Sequence, residues 1–341
     1  MSHRLTTRVL VVDPGEPDPA VLDRAARVLL RGGLVAFATE TVYGLGAIAT
    51  LPAAVARIFA AKGRPAINPV IVHVAGIAQA RDCVAEWTDE AECLARRFWP
   101  GPLTLVLKRA ESIPDVVTAG RDTVAVRAPA GKVALGLIER SGKPIAAPSA
   151  NRSNRLSPTR AKHVLADLAG AIDLLIDSGP TEVGLESTVL DLTTARPRLL
   201  RPGPISIKDL ESALFGRRVV EPIADEPAGR PSSPGQMPVH YAPRTPSFRV
   251  ERGEDLGGVV HRGNTAVVSF GEQADRALPA AVARFTLESP AEASRRLYDV
   301  LHHCDSLGLD SIVVVMPPAD PEWQAVRDRL VRATRPLKER E

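Results

Sequence analysis

Aromatic residues are scarce in this chain, 4% of 341 residues, as three Trp, three Tyr and seven Phe. Single-strand nucleic-acid binders stack bases on such rings, so a stacking binder is disfavoured at the outset. Cysteine is scarcer still. Cys83, Cys93 and Cys304 are odd in number and lack C-x-x-C spacing, a pattern that suits a reducing compartment and predicts no disulfide. His302, His303 and Cys304 adjoin, but adjacent side chains on a helix do not converge, so an exposed helix patch is expected there rather than a metal site. Also missing are a Walker A loop, a Ser-His-Asp order, a carboxylate pair, an acidic cluster suited to caging a metal and an internal repeat. With no signal-peptide core and no apolar run of spanning length, a cytoplasmic protein without a membrane partner is expected. The formal net charge of +3 permits anionic small molecules without demanding nucleic acid.

What remains is ordinary for a globular chain, 45% apolar and 24% charged, with a length that favours two domains. The densest signal lies in Gly32 to Ala49. Leu34 to Ala38 is a short apolar run without helical period, as in a strand covered on both faces. Thr39, Glu40, Thr41 and Tyr43 follow it with three hydroxyls and a carboxylate, and ligands of open α/β sheets sit at strand ends. Gly44 and Gly46 would form a compact turn with positive φ or close ligand approach. Gly44-x-Gly46-x-x-Ala49 also satisfies a loose dinucleotide fingerprint, hence a nicotinamide-dependent oxidoreductase. Against it, Thr39 to Tyr43 separate the glycines from the strand, and the next apolar run, Val70 to Val74, contains His73 and no acid.

Helices are predicted over Pro19 to Arg31, Leu51 to Ala61 and Glu90 to Phe98, and strands over Val70 to Val74, Leu103 to Leu107 and Ala171 to Asp177. Lys62 and Arg64 flank a glycine ahead of a strand, with Asn68 and His73 close by, and form a candidate anion clamp. In Thr123-Val-Ala-Val-Arg127 the two-residue period puts Thr123 and Arg127 on one strand face, where the arginine could hold a carboxylate bidentately; an exposed face is the alternative. The run from Pro144 breaks at Pro148 into a hydroxyl- and amide-rich loop. Ser157 or Thr159 there could cap the next helix, or the loop could grip phosphate oxygens. Arg201 ends a further strand and is expected to be exposed. Seven prolines between Glu221 and Pro246 mark an extended linker. After it, Thr265 to Phe270, Ala291 to Asp305, Ser311 to Met316 and Trp323 to Ala333 alternate strand and helix.

Taken together, Thr39-Glu-Thr-Val-Tyr-Gly-Leu-Gly46, Lys62-Gly-Arg-Pro-x-x-Asn-Pro69, Trp99-Pro-Gly-Pro-Leu-Thr104, Thr123-Val-Ala-Val-Arg127, Pro148-Ser-Ala-Asn151, Ser187-Thr-Val189, Leu200-Arg-Pro-Gly203, Ser233-Pro-Gly235 and His240-Tyr-Ala-Pro243 resemble the YrdC family in its long form. The resemblance covers essentially the whole chain. It implies an α/β fold: a twisted open mixed sheet at 1–220, a Pro-rich linker at 221–246 folding over the active site, and a small Rossmann-like α/β domain at 247–341. The implied activity joins L-threonine, bicarbonate or CO2, and ATP into threonylcarbamoyl-adenylate with release of pyrophosphate. That is the first step of threonylcarbamoyl-adenosine modification of tRNA, and a separate transferase complex would receive the product.

Residue by residue, the resemblance assigns threonine to Thr41, His73, Arg127, Ser187 and the backbone at Ala147. It assigns ATP to Arg64, Asn68, Thr123, Ser149, Ser157, Arg201 and Tyr241, with Lys62 and Arg64 as the catalytic pair near phosphates and carbamate. Magnesium is expected to arrive mainly on the triphosphate. A carbamate oxygen is already an anionic nucleophile, so the task is positioning and charge neutralisation. The chain departs from the family pattern at Ala38, a usual proline, at Asn154, a common glycine, and in lacking the basic residue before His240; Pro321-Glu322-Trp323 replaces a glycine-rich turn. The competing function is an RNA-binding module with a basic concave sheet, whose affinity would fall steeply with salt; no stable tRNA binding is expected of the enzyme.

Overall fold

A computed structural model describes residues 6–221, 240–252, 263–271 and 281–337. The chain divides into two compact units. The first comprises Met1–Ser153, Pro158–Glu182 and Glu186–Gln236; the second comprises Asn154–Ser157, Val183–Leu185 and Met237–Glu341.

In the first unit the described strands are β1 (Arg8–Val11), β2 (Val35–Ala38), β3 (Tyr43–Ile48), β4 (Val72–His73), β5 (Leu103–Lys108), β6 (Thr123–Arg127), β7 (Ile145–Ala146), β8 (Leu174–Asp177), β9 (Thr188–Asp191) and β10 (Arg198–Arg201). They form one mixed sheet in the order β1-β8-β2-β3-β7-β4-β6-β5-β9-β10. Helices α1 (Pro19–Leu30), α2 (Pro52–Lys62), α3 (Ile77–Arg81), α4 (Asp89–Phe98), α5 (Asp115–Thr118), α6 (Lys132–Ser141), α7 (Ala161–Leu168) and α8 (Ile207–Ala213) connect them. Local chemistry sets the helix ends: Asp18 accepts from Ala20 N ahead of Pro19 in α1, and Ser206 with Asp209 makes a capping box at α8.

Alternation along the strands divides the apolar residues between the two faces. One face packs Leu45, Val72, Leu105, Val126 and Leu190 with Val55 and Ile58 of α2, Leu94 of α4 and Leu210 of α8. On the other face, α1 and α6 bring Leu22, Leu29, Val133 and Leu137 onto Val35, Phe37, Ile145 and Leu174. Those two helices cover only the β8-β2-β3-β7 part. Across β4, β6, β5, β9 and β10 the same face carries a separate small apolar floor of Ile71, Val106, Ala125, Val189 and Leu200.

The first departure from expectation is β3. Gly44 and Gly46 are strand residues, paired antiparallel with β2, and neither has positive φ. A Cβ on Gly46 would lie 2.7 Å from the Phe37 ring and 2.9 Å from Ile145, so glycine there makes room for a core ring. The strand-to-helix glycine turn of a dinucleotide site is therefore absent from this segment. The second departure concerns α7: Arg160 is its N-cap residue without a side-chain cap bond, and Thr159 Oγ1 has no partner among the described residues, so the expected Thr159 cap is not made. The His163 ring instead reaches back from the helix and accepts the Thr159 N–H through Nδ1 at 3.3 Å, which ties the entering backbone to the first turn.

The second unit holds β11 (Ser247–Val250), β12 (Thr265–Phe270), β13 (Ala283–Leu287), β14 (Ser311–Val315) and β15 (Arg335–Pro336), with α9 (Pro290–Ser306) and α10 (Gln324–Ala333). Its described strands are all parallel, in the order β13-β12-β14-β11-β15, around Val250, Val267 and Val313. The expected exposed patch at 302–304 is only partly so: His303 is exposed, His302 half-buried and Cys304 buried in the α9 core face. All three cysteines are free. Most of the expected linker, with Ser233 and Gly235, lies outside the described residues.

Candidate active site

The sheet face left uncovered by α1 and α6 carries the polar side chains. Pairing sets His73 beside Arg127 across β4 and β6. Leu105 opposite Val126 then places Thr104 beside Arg127, and Thr104 pairs with Val189. Paired residues share a face, so His73, Arg127 and Thr104 form one row at the edge of the apolar floor. Val124 and Val126 point into the opposite core, which is what buries this row on a rigid strand.

Arg127 is buried at 3% exposure. Its Nη2 donates to Glu40 Oε1 at 2.6 Å, its Nη1 to Thr41 Oγ1 at 3.0 Å and its Nε to Gly101 O at 3.1 Å. The carboxylate expected at this arginine is thus supplied by the protein itself, through one oxygen. Three of five guanidinium N–H groups are engaged among the described residues, which leaves two for a ligand. Glu40 Oε2 is buried with no partner among the described residues. Thr39 Oγ1 receives the N–H groups of Thr41 and Val42 and lies 2.8 Å from Thr41 Oγ1, so a threonine-centred turn orients the loop.

His73 is buried, and its Nδ1 has no partner among the described residues. Burial, then the neighbouring Arg127 charge, pushes its pKa down to about 3, which keeps the ring neutral at ordinary pH. On the other side of Arg127, Ser187 Oγ lies 2.7 Å from Thr104 Oγ1. Arg201 donates from Nε to Ser187 O at 3.0 Å and from Nη2 to Ser187 Oγ at 3.1 Å. Arg201 is therefore buried rather than exposed, because its guanidinium turns back over Ser187. A Cβ on Gly203 would sit 2.3 Å from Thr188 N, so the turn after Arg201 packs directly on the backbone that carries Ser187. The Ala147 N–H is already given to Ile71 O at 2.9 Å, and a main-chain contact from this residue to a ligand falls to its carbonyl.

The expected clamp residues turn toward the protein's own carbonyls. Lys62, at the end of α2, is buried and donates to Ser149 O and Asn151 O, both at 2.5 Å, and to Asn151 Oδ1 at 3.4 Å. Burial lowers the pKa of this ammonium, and the nearby Arg64 charge lowers it further against an opposing pull from Asp167. Arg64 Nε donates to Asn68 O at 3.1 Å and an Nη to Pro69 O at 2.7 Å. Asn68 Oδ1 has no partner among the described residues. Lys62 thereby ties the 62–69 loop to the 148–151 loop, where half-buried Ser149 bridges to Gly44. Thr123 shares the Arg127 face but starts the strand that Arg127 ends, about 13 Å away at the usual rise per residue.

Ser157 and Tyr241 belong to the second unit. There the Ser157 carbonyl lies 3.2 Å from His302 Nε2. Tyr241 is buried with φ of 61°, its ring 4.0 Å from His240 between centroids and 5.2 Å from the Arg329 guanidinium.

Glu40 stands in the polar stretch after Ala38 and Thr104 ends the Trp99–Thr104 motif, yet the sequence alone gives neither a role. The available signal for both was a polar residue inside an otherwise apolar strand-loop pattern, which becomes informative only once a partner is known.

The Sua5/YciO/YrdC family model, described as "Telomere recombination", matches residues 27–203, and the model described as "Threonylcarbamoyl-AMP synthase, C-terminal domain" matches residues 205–334. The threonylcarbamoyl-AMP synthase of Pyrococcus abyssi is 43% identical over 317 residues, covering 91% of this chain and 93% of the relative. That of Bacillus subtilis is 40% identical over 327 residues, 93% of each chain. The crystal structure of P. abyssi Sua5 complexed with L-threonine superposes with a TM-score of 0.88 at 39% identity, covering 96% of this chain and 99% of that one.

Proposed function

The chain belongs to the Sua5/YciO/YrdC family, and from that premise we propose that it is an ATP-dependent L-threonylcarbamoyladenylate synthase, a nucleotidyltransferase acting in tRNA modification. The observation that carries this reading is the buried row of Arg127, neutral His73 and Thr104, with Thr41 and Ser187 bonded to its members. The row offers cation, neutral imidazole and hydroxyls within one sheet face, the donor set that a small zwitterion with a hydroxyl requires.

The two N–H groups left on Arg127 hold the amino-acid carboxylate, and Thr41 steadies that fork. His73, kept neutral, presents Nδ1 to the substrate hydroxyl. The free amine combines with bicarbonate to give the carbamate and water, or with CO2 to give the carbamate and a proton. A carbamate oxygen then forms a bond to the α-phosphorus of ATP, and the bond from that phosphorus to the bridging oxygen breaks as pyrophosphate leaves. No side-chain base is needed, because the nucleophile is already anionic. Catalysis consists of alignment and electrostatic stabilisation.

Lys62 and Arg64 supply the cations near the phosphates by releasing backbone carbonyls in favour of phosphate oxygens. Asn68, Ser149, Thr123, Arg201, Ser157 and Tyr241 complete the proposed nucleotide set. Magnesium enters with the triphosphate as part of the substrate and adds charge neutralisation there. In this reading residues 1–220 form the catalytic body, 221–246 the linker and 247–341 the C-terminal domain, the adenylate passes to a separate tRNA threonylcarbamoyl transferase complex, and the setting is cytoplasmic. Among the described residues no helix is long and apolar enough to cross a membrane.

The RNA-module alternative loses its main support in the site itself: Lys62, Arg64, Arg127 and Arg201 are all buried and donate to protein acceptors, so they do not offer a basic surface to a phosphate chain. The test is pyrophosphate release from magnesium ATP with threonine, bicarbonate or both omitted in turn. Release that depends on both supports the proposal, and release no higher than the threonine-free control from folded protein overturns it.

A further inference from the structure

Glu40 follows the end of β2, and the protein's own bonds account for only half of its carboxylate. Oε1 accepts from Arg127 Nη2 at 2.6 Å, whereas Oε2 is buried with no partner among the described residues. The residue is 6% exposed, and a carboxylate oxygen withdrawn from water without a donor bears a desolvation cost that native interiors rarely leave unmet. Nor can the loop carry it elsewhere. The Thr39 N–H bonds Val42 O at 3.1 Å across the turn, and a Cβ on Gly131 would lie 3.2 Å from Glu40 N, so this backbone packs closely on the start of α6. Oε2 is therefore an acceptor fixed beside the Arg127 guanidinium, which keeps two N–H groups for a ligand.

We infer that Glu40 holds the amino group of the substrate through Oε2, which makes it a specificity-determining residue for an α-amino acid over the matching acid without the amine. The inference rests on the threonine, bicarbonate and ATP reading given above. Charge selects this donor. Arg127 and Glu40 cancel, and His73 is neutral, so the three together present a cationic fork beside an anionic oxygen with no net charge. A zwitterion meets both poles at once: its carboxylate takes the free N–H groups of Arg127, and its ammonium, one carbon away, takes Oε2. The substrate hydroxyl is the other donor available, and His73 Nδ1 is the acceptor placed for it. After carboxylation the nitrogen keeps one N–H for Oε2. The Glu40 charge repels the new oxygens, so the carbamate faces away from it.

The experiment measures calorimetric affinities of full-length wild type and Glu40→Gln for three ligands without bicarbonate: threonine, 2-aminobutyrate, which lacks the hydroxyl, and 3-hydroxybutyrate, which lacks the amine. Glutamine can still accept from Arg127 but turns an N–H toward the amine. Threonine and 2-aminobutyrate are expected to weaken about tenfold or more, the loss of one hydrogen bond between charged groups. The affinity for 3-hydroxybutyrate stays within about twofold of wild type or tightens, because the variant no longer repels a ligand that is only an anion. Equal losses for all three ligands would mean that Glu40 merely holds Arg127, and they overturn the inference. Losses confined to the two hydroxyl-bearing ligands, or no loss for any ligand, overturn it as well. Should Glu40→Gln not fold, Glu40→Asp keeps the charge but withdraws it by one carbon; threonine must then lose more affinity than 3-hydroxybutyrate does, and equal losses overturn the inference. A wild type that binds no threonine removes the underlying reading and is recognised before any variant is compared.

Discussion

Arg127 and Glu40 are each almost wholly withdrawn from water, and a charge left alone there is costly. Arg127→Ala strands the Glu40 carboxylate, and urea unfolding is expected to show a loss of about 3–5 kcal/mol. A variant as stable as wild type would contradict the buried pairing. His73 makes the stability depend on pH. Its folded pKa of about 3 lies below the ordinary value of 6.5, so the unfolded chain binds the extra proton between those values and stability falls as pH drops through 6.5 toward 3. Between pH 8 and pH 5 this one group costs about 2 kcal/mol. Denaturant midpoints at the two pH values check it, with His73→Gln expected to lose correspondingly less. At this scale Arg127, His73, Thr41 and Ser187 drew attention in the sequence through their types and motif positions. Glu40 and Thr104 stood in the same motifs without a role, because Glu40 meets Arg127 across 87 positions and Thr104 meets Ser187 across 83, and only the folded sheet makes those pairs.

Elements were largely legible where a period or a stop signal was strong. Helix α1, bounded by Pro19 and Gly32, α2 and α4 lie where apolar spacing placed them, and β6 carries Thr123 and Arg127 on one face as alternation required. Gly44 to Ile48 was not legible as a strand, because its glycines imitate a ligand turn while serving the ring of Phe37. That difference is measurable. Gly46→Ala is expected to lower stability by about 1–3 kcal/mol through overpacking against Phe37 and Ile145. Adding Phe37→Leu should recover part of the loss in thermal unfolding. If Gly46 served only a ligand turn, the single variant would lose ligand affinity at unchanged stability, and the second substitution would rescue nothing.

Across the whole molecule, the composition shift at Glu221 signalled that the polypeptide does not continue one sheet to its end, and the described residues divide into a mixed-sheet unit and a parallel-sheet unit. The second unit's inclusion of 154–157 and 183–185 was not legible, since short returns of this kind leave no compositional mark. The role proposed for Tyr241 belongs to this scale. Tyr241→Ala is expected to weaken ATP binding on the order of tenfold while threonine affinity changes less. Calorimetry with each ligand separately checks it, and unchanged affinities for both would contradict the role. The proposed reaction unites an amino acid, a one-carbon acid and a nucleotide by an in-line attack of carbamate on the α-phosphorus. Mass spectrometry of the products formed from threonine, 13C-bicarbonate and magnesium ATP decides it: an adenylate carrying the labelled carbonyl is expected together with pyrophosphate, whereas an unlabelled threonyl-adenylate, or no adenylate at all, would refute the reaction.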